Sequence, residues 1–149
     1  MTRFNGSIEQ GYVKIISSDR IKAKSLIKSA EEAVYSARKI PFEEITLKSI
    51  MRELYVGLRQ FCEAIGYIKG YRFFSHEAIT YFIEDILKEP KLSAKFDRYR
   101  KIRNGINYYG DDVSEETIKE ANALNVRGYI HKPLVLDELE KIVLAELKK

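Results

Sequence analysis

The sequence predicts an all-α fold: an up-and-down helical bundle of four long helices with smaller C-terminal helices. Apolar residues recur at spacings of three and four over several long stretches, which is the pattern of a buried helix face. The 149 residues are 45% hydrophobic, enough for the core of a single domain, and the 32% of charged residues suit exposed helix faces. We therefore treat residues 1–149 as one domain.

Two long helices are predicted first, after an irregular N-terminal arm over residues 1–16. The first helix begins near the N-cap candidates Ser17 to Asp19 and ends near Lys39. Within the second helix, Gly57 is expected to mark a close crossing with the first. The second helix spans Phe42 to Lys69 and has the clearest periodicity, with apolar residues at Leu47, Ile50, Met51, Leu54, Leu58, Phe61, Cys62, Ile65 and Ile68.

The third and fourth helices follow an aromatic linker at residues 71–74. Ser75 is expected to cap the third helix, and Pro90 is expected to end it. Ser93 is expected to cap the fourth helix, which ends at Gly110 because glycine favours the left-handed position after a helix.

The C-terminal part is predicted to contain smaller helices. Ser114 is expected to cap a fifth helix that ends near Asn125. Residues 126–149 are then expected to form a loop and a last helix, the helix covering about residues 134–147. The one strand-like run in the sequence is Gly128 to His131.

A polar and aromatic stretch from Phe96 to Gly110 dominates the fourth helix. Charge beside a core is costly without partners, so this cluster indicates a site as well as a helix. The net charge of +4 permits an acidic partner such as RNA. Asp97 is the one acidic residue among the basic residues of this region, which favours a phosphate-binding groove over a solvated helix face. This basic run consists of Lys91, Lys95, Arg98, Arg100, Lys101 and Arg103. The apolar face is expected to consist of Phe96, Tyr99, Ile102, Ile106 and Tyr109. The candidate nucleic-acid- or nucleotide-binding residues are Arg98, Arg100, Lys101, Arg103, Asn104, Asn107 and Tyr109.

The sequence RNGINYYG, Arg103 to Gly110, resembles the signature helix of the HEPN superfamily, small helical domains often encoded beside minimal nucleotidyltransferases. In that signature an Arg, usually followed by a polar residue, precedes a His by four to six intervening residues. Arg103-Asn104 matches the start, and Tyr108 or Tyr109 occupies the His position. The order of helices and the phrase SHEA, Ser75 to Ala78, extend the resemblance over about residues 12–125.

The resemblance implies an effector of a two-component, toxin–antitoxin type module that binds or cleaves RNA. It also implies a homodimer that brings two signature helices together, and a nucleotidyltransferase-like partner protein. The family's metal-independent ribonuclease chemistry would give catalytic roles to Arg103, as a phosphate clamp, and to Tyr108, in place of the His. Tyrosine, with a pKa of about 10, is a poor general base at pH 7, so weak or no cleavage is expected.

Two other interpretations remain open from the sequence. One is a non-catalytic helical dimer that binds a nucleotide or a partner protein, and the other is a purely structural dimer. His76 lies at a predicted helix N-terminus and could replace the missing imidazole if the fold brings it close; otherwise it is a surface histidine. His131, in the C-terminal loop, is expected to have no role in the site.

The remaining composition argues against metal, cofactor and membrane functions. The single cysteine, Cys62, excludes an internal disulfide and a cysteine-based zinc site, and it is expected to be an inert core thiol. Two separated histidines without paired carboxylates do not predict a metal site, and no cofactor is expected. No stretch approaches the ~18 apolar residues of a membrane span, and the N-terminus lacks an apolar signal core. The expected location is the cytoplasm.

Overall fold

The computed structural model describes the backbone of residues 1–127 and the side chains of residues 1–123. This part contains six α-helices and a two-stranded antiparallel sheet, which confirms the predicted all-α class. The elements are α1 Arg3–Glu9, β1 Val13–Ile15, α2 Arg20–Lys39, α3 Leu47–Lys69, β2 Tyr71–Phe73, α4 His76–Asp85, α5 Pro90–Tyr109 and α6 Glu115–Arg127. A short 3-10 turn, Glu44–Thr46, precedes α3.

The central element of the core is α3, which packs against α2, α4, α5 and α6. Its position follows from the apolar periodicity that made it the clearest prediction. At Gly57 the helix backbones come close, since a Cβ there would lie 2.7 Å from Val34 Cγ2 and 3.2 Å from the Ala30 carbonyl oxygen. The predicted crossing of the first two long helices is therefore confirmed. Cys62 is a buried core thiol, as expected, and burial, reinforced by the charge of Glu63, raises its pKa to about 12.

The sequence prediction was least accurate for the N-terminal arm, because residues 1–16 are not irregular but contain α1 and β1. Phe4 of α1 is only 1% exposed and packs against the Phe82 ring, with centroids 5.6 Å apart. β1 pairs with β2 in the register Val13↔Phe73 and Ile15↔Tyr71. A seven-residue helix and two three-residue strands are too short to show a period, and the sheet exists only through pairing between distant segments.

The boundary between α4 and α5 also differs from the prediction. α4 ends at Asp85 rather than at Pro90, and Pro90 instead begins α5, where its missing N–H costs nothing. Glu89, not Ser93, is the N-cap residue of α5. Ser93 is buried and its Oγ donates to the Thr80 carbonyl oxygen at 2.9 Å, which ties α5 to α4. A serine near a helix start can either cap the helix or form a buried hydrogen bond to a neighbouring helix, and the burial of Ser93 gives it the second role.

The two ends of the α5–α6 connection follow the prediction. Gly110 ends α5 with a φ of 67°, in the left-handed region that glycine enters readily. Ser114 Oγ accepts a hydrogen bond from the Thr117 backbone N–H at 3.2 Å and so caps α6. α6 continues past Asn125 to Arg127. The expected strand-like run Gly128 to His131 and the last helix, about residues 134–147, lie outside the described residues.

None of the helices within residues 1–127 combines the length and the apolar character that a membrane crossing requires.

Candidate functional site

The side chains of Arg103 and His76 meet where α3, α4 and α5 come together. Arg103 Nη2 lies 2.5 Å from His76 Nδ1, although 27 positions separate the two residues in the chain. The Arg103 guanidinium also lies over the Tyr55 ring, with its Cζ 4.9 Å from the ring centroid. A cation over an aromatic face is attracted by the ring quadrupole, so Tyr55 holds the guanidinium beside the imidazole.

Tyr55 and Arg103 both lie within hydrogen-bond distance of the same nitrogen of His76. The Tyr55 hydroxyl oxygen lies 3.0 Å from His76 Nδ1, the atom that Arg103 contacts. Because a guanidinium can only donate, Nδ1 is the acceptor, and the neutral imidazole carries its proton on Nε2. Arg103 Nε, in contrast, is buried and has no hydrogen-bond partner in the described part of the chain.

The surroundings hold His76 in its neutral form. Burial, together with the positive charges of Arg59, Arg103 and Arg100, lowers the pKa of His76 to about 4. Burial also raises the pKa of Tyr55, outweighing the hydrogen bond and charge of Arg103, which act to lower it. At neutral pH the site therefore holds an uncharged imidazole and a protonated phenol beside a guanidinium.

A cavity of about 330 Å³ opens beside this cluster, and we call it the α3–α5 cavity. Three arginines and one glutamate among its lining residues give it a formal net charge of +2 when His76 is neutral. The lining residues are Arg52, Glu53, Tyr55, Val56, Arg59, His76, Arg103 and Asn107. A net positive cavity with hydrogen-bond donors is suited to an anion.

Among the residues whose side chains are described, two of the three cavity arginines have only uncharged hydrogen-bond partners. Arg52 Nε donates to Asn107 Oδ1 at 2.7 Å, and Arg103 donates to His76. Within residues 1–127 neither forms an ion pair, whereas Arg59 pairs with Glu63 one turn along α3. The cavity therefore presents two guanidinium groups whose charge no carboxylate balances directly.

The basic run of the fourth predicted helix is largely paired within the protein. Arg100 and Lys101 form ion pairs with Asp97 at 2.7 Å and 2.9 Å. Arg98 pairs with Glu120 of α6 at 2.7 Å. These three expected nucleic-acid contacts thus carry less unbalanced charge than the sequence suggested, and their role in binding stays a prediction.

The other predicted site residues are spread over the end of α5. Asn104 is half-buried and Asn107, which is exposed, contacts Arg52. Tyr108 is 71% exposed, and in the described part of the chain the recorded contacts of Arg103 are with His76 and Tyr55 rather than with Tyr108. Tyr109 is 81% exposed, so its assignment to the apolar face of α5 was wrong, because the face ends at Ile106 before the helix leaves the core.

The sequence analysis missed Arg52, Tyr55 and Arg59 of α3. They follow one another at spacings of three and four, so they form one stripe along α3. That stripe was the sequence signal for a site on α3, but the strong apolar pattern of the helix predicted only its role in the core.

Among the described residues, no group of three or more His, Cys, Asp and Glu side chains is arranged to hold a metal ion. His76, which lines the α3–α5 cavity, instead contacts Arg103. The polar groups that line the cavity are guanidinium, imidazole, phenol, amide and carboxylate groups.

No family model matches this chain, and no curated protein or solved structure matches it either.

Proposed function

We propose that this protein is a HEPN-like, RNA-binding effector whose α3–α5 cavity holds an RNA phosphate and whose His76 supports slow, metal-independent cleavage. The observation that carries the proposal is the contact between Arg103 and His76 inside a cavity with two guanidinium groups that have no carboxylate partner among the described residues. A guanidinium fork matches the geometry of a phosphate and forms charge-assisted hydrogen bonds with it. Arg103 keeps the role of phosphate clamp, and His76 takes the role that the family gives to its signature His.

When a phosphate binds, the two arginines exchange hydrogen bonds to neutral acceptors for stronger hydrogen bonds to the phosphate. Arg103 and Arg52 each donate to a neutral acceptor, and a charge-assisted bond to phosphate is stronger than either. The Arg103 guanidinium turns from the imidazole to the phosphate, which uncovers His76 Nδ1. Tyr55 stays in place as a positioning residue, since its hydroxyl is only 3.0 Å from Nδ1 and can rotate between donor and acceptor.

The uncovered imidazole becomes a better base. A nearby phosphate charge favours the protonated form, so the pKa of His76 rises towards the pH range in which general bases work well. His76 Nδ1 takes the proton of the ribose 2′-hydroxyl as that oxygen attacks phosphorus. The bond from phosphorus to the 5′-oxygen breaks, and water protonates the departing oxygen. Arg103 stabilises the charge that develops at phosphorus, and the products carry a 2′,3′-cyclic phosphate and a 5′-hydroxyl.

A non-catalytic phosphate-binding module is the second candidate. It is favoured by one observation: in the free protein His76 Nδ1 is occupied by Arg103 and Tyr55, and its pKa is lowered to about 4. Under this alternative Arg103 stays beside His76 when RNA is bound. RNA then binds the α3–α5 cavity but is not cleaved.

The first prediction concerns the salt dependence of RNA binding. If the two unbalanced guanidiniums contact phosphates, binding of a fluorescein-labelled oligouridylate should weaken as salt is added. Each neutralised phosphate of a single strand contributes a slope of about −0.7 in log affinity against log salt, so the one phosphate held in the cavity gives a slope of about −0.7. Fluorescence anisotropy over a salt series measures this slope. Salt-independent binding, or none, would favour a protein partner instead of RNA.

The second prediction concerns assembly. We propose that the protein forms a homodimer through the end of α5, where Tyr108 and Tyr109 are 71% and 81% exposed next to Asn107. Light scattering should show a dimer at micromolar concentration. The double variant Tyr108→Ala/Tyr109→Ala should shift it towards monomer, while Tyr35→Ala, which removes an exposed tyrosine from α2, should leave it unchanged. A monomeric unmodified protein would contradict this interface. A nucleotidyltransferase-like partner remains part of the proposal, and it rests on the resemblance alone.

A further inference from the structure

We infer that one face of the β1–β2 sheet is a second binding surface, which takes a single strand of RNA. Bases stack on Tyr12 and Phe74, and Lys14 and Arg72 contact the phosphates. These four residues define the surface, which we call the outer face of the sheet, and none of them lines the α3–α5 cavity. The choice of RNA as the nucleic acid rests on the proposed function, whereas the surface is argued from its own residues.

The first step of the argument is which side chains share this face. Lys14 of β1 lies directly opposite Arg72 of β2. The Phe74 backbone N–H donates to the Tyr12 carbonyl oxygen at 2.8 Å, which places these two residues opposite each other as well. Successive side chains of a strand point to opposite faces, so all four share one face. Tyr12 is 49% and Phe74 56% exposed, whereas Val13 on the other face is 2% exposed. The core therefore covers one face of the sheet and leaves the outer face to solvent.

The second step is charge. Directly opposite residues have Cβ atoms about 4.5–5.5 Å apart, and like charges in that arrangement destabilise a sheet. Among the residues whose side chains are described, neither Lys14 nor Arg72 forms an ion pair. Residues 10–18 and 69–76, which contain the two strands, include three Lys or Arg residues and no Asp or Glu. A phosphate beside Lys14 and Arg72 would replace their repulsion by attraction, so the outer face is suited to an anionic ligand.

The third step is the pair of exposed rings. Arg72 Cζ lies 5.0 Å from the centroid of the Phe74 ring, so the recorded partner of this guanidinium is a ring and not a carboxylate. Arg72 can therefore turn to a phosphate and leave the ring to a base. A simple anion would engage the cations and leave both rings unused. Rings that stack with bases, next to cations that contact the backbone, are the combination that binds single-stranded nucleic acids.

The fourth step is the position of the outer face relative to the candidate site. Phe74 lies two residues before His76, so their Cα atoms are at most about 7 Å apart. An RNA strand on the outer face can therefore continue towards the place where His76 meets Arg103. Phosphates held by Lys14 and Arg72 would add to the salt dependence that the cavity phosphate contributes.

The test of base stacking compares two fluorescein-labelled hexamers that cannot be cleaved. One is a 2′-O-methyl hexaadenylate, and the other has the same backbone without bases. Fluorescence anisotropy with the full chain should show the hexaadenylate binding at least about tenfold more tightly. The double variant Tyr12→Leu/Phe74→Leu, which keeps apolar side chains but lacks the rings, should bind both hexamers alike. Tyr35→Leu is the matched control, because it removes an exposed ring of α2 that has Lys39 Nζ 5.1 Å from its centroid, and it should keep the tenfold difference.

The test of the cations uses Lys14→Glu, which places a carboxylate opposite Arg72. Hexaadenylate binding should weaken at least about tenfold, while the thermal unfolding midpoint should rise because the cross-strand repulsion becomes attraction. Lys28→Glu makes the same charge change on the exposed surface of α2 and should weaken binding less than about threefold. A Lys14→Glu variant that is less stable but binds RNA as tightly as the unmodified protein would give Lys14 a structural role and overturn the inference.

The remaining outcomes separate the outer face from the cavity. If the unmodified protein binds the two hexamers equally and Arg103→Gln weakens both, the inference is overturned and RNA binding at the cavity stands. Losses in the outer-face variants without a loss in Arg103→Gln would support the inference and contradict the proposed role of the cavity. Absence of binding to either hexamer overturns both. Binding to phosphatidylserine vesicles that the double variant abolishes, with hexamer binding unchanged, would identify a membrane surface as the occupant and overturn the inference.

Discussion

Replacing Arg103 by alanine is expected to weaken RNA binding by about 10- to 100-fold and to remove any cleavage. The binding loss corresponds to about 1.5–3 kcal/mol for hydrogen bonds to a charged group. Cleavage suffers additionally because a donor aimed at the developing charge typically contributes about 10²–10³-fold. Anisotropy with a labelled oligouridylate measures the first effect, and gel analysis of the same strand measures the second.

Other arginines provide graded controls for this variant. Arg38→Ala removes the same side chain from the exposed surface of α2 and should leave both binding and cleavage unchanged. Arg98→Ala lies on the same helix as Arg103, but Glu120 already pairs with that guanidinium at 2.7 Å, so a smaller loss is expected. Equal losses from Arg98→Ala and Arg103→Ala would show that binding follows the overall charge of α5 and not the cavity. Circular dichroism confirms that each variant is folded.

Replacing His76 by asparagine is expected to separate cleavage from binding. Asparagine cannot act as a proton acceptor near neutral pH, yet its side-chain oxygen can accept hydrogen bonds from Arg103 and Tyr55, the two groups that lie beside Nδ1. We expect cleavage to fall by about 10²–10⁴-fold, the usual contribution of a positioned acid or base, while RNA affinity changes little. Single-turnover cleavage and anisotropy on the same preparation measure the two quantities.

The pH dependence of cleavage by the unmodified protein provides a second test of the role of His76. Since the pKa of His76 in the free protein is lowered to about 4, its base form is present above that pH and is lost as pH falls through it. The profile of kcat/KM, which reports the free protein, should therefore bend near pH 4, and the profile of kcat should bend at a higher pH. Tyr108→Phe discriminates between the two candidate groups. Retained cleavage in Tyr108→Phe supports His76 as the general base. If Tyr108→Phe loses cleavage while His76→Asn keeps it, the general base is instead Tyr108, which occupies the position of the family's signature His.

The sequence predicted the long elements well because their signals are local and repeated. The apolar spacing of α3 and the glycine after α5 each lie within one short segment of sequence. The helix predicted from the first and the helix end predicted from the second are both confirmed. The arm that became α1 and β1 could not be predicted in the same way. Phe4 is buried by α4 and β2, and Val13 pairs with Phe73, so the order of this segment comes from partners far along the chain.

The same contrast between local signals and long-range contacts applies to the candidate site. Arg103 was selected as a candidate from its own surroundings, and the proximity of His76 was only a conditional expectation because no local rule relates positions 27 apart. Arg98 was counted as a free cation since Glu120, its partner on α6, lies 22 positions away. Charge patterns within one helix therefore overestimate free charge whenever a neighbouring helix supplies carboxylates.

The central claim is that RNA phosphate takes Arg103 away from His76. The groups that face the His76 imidazole are Tyr55 and Arg59 from α3 and Arg100 and Arg103 from α5. Removing one guanidinium from the imidazole and adding a phosphate charge must raise the pKa of His76. The chain has two histidines, so the imidazole signals in an NMR spectrum can be assigned with a single His131→Gln variant.

The most direct measurement is the NMR titration of His76 in histidine-labelled protein, with and without a non-cleavable 2′-O-methyl oligouridylate. We expect a titration midpoint near the pKa of about 4 for the free protein, and a clear upward shift when RNA is bound. Arg103→Gln should raise the midpoint of the free protein and reduce the further shift caused by RNA. A His76 midpoint that stays the same when RNA binds would show that Arg103 does not exchange partners and would contradict the account.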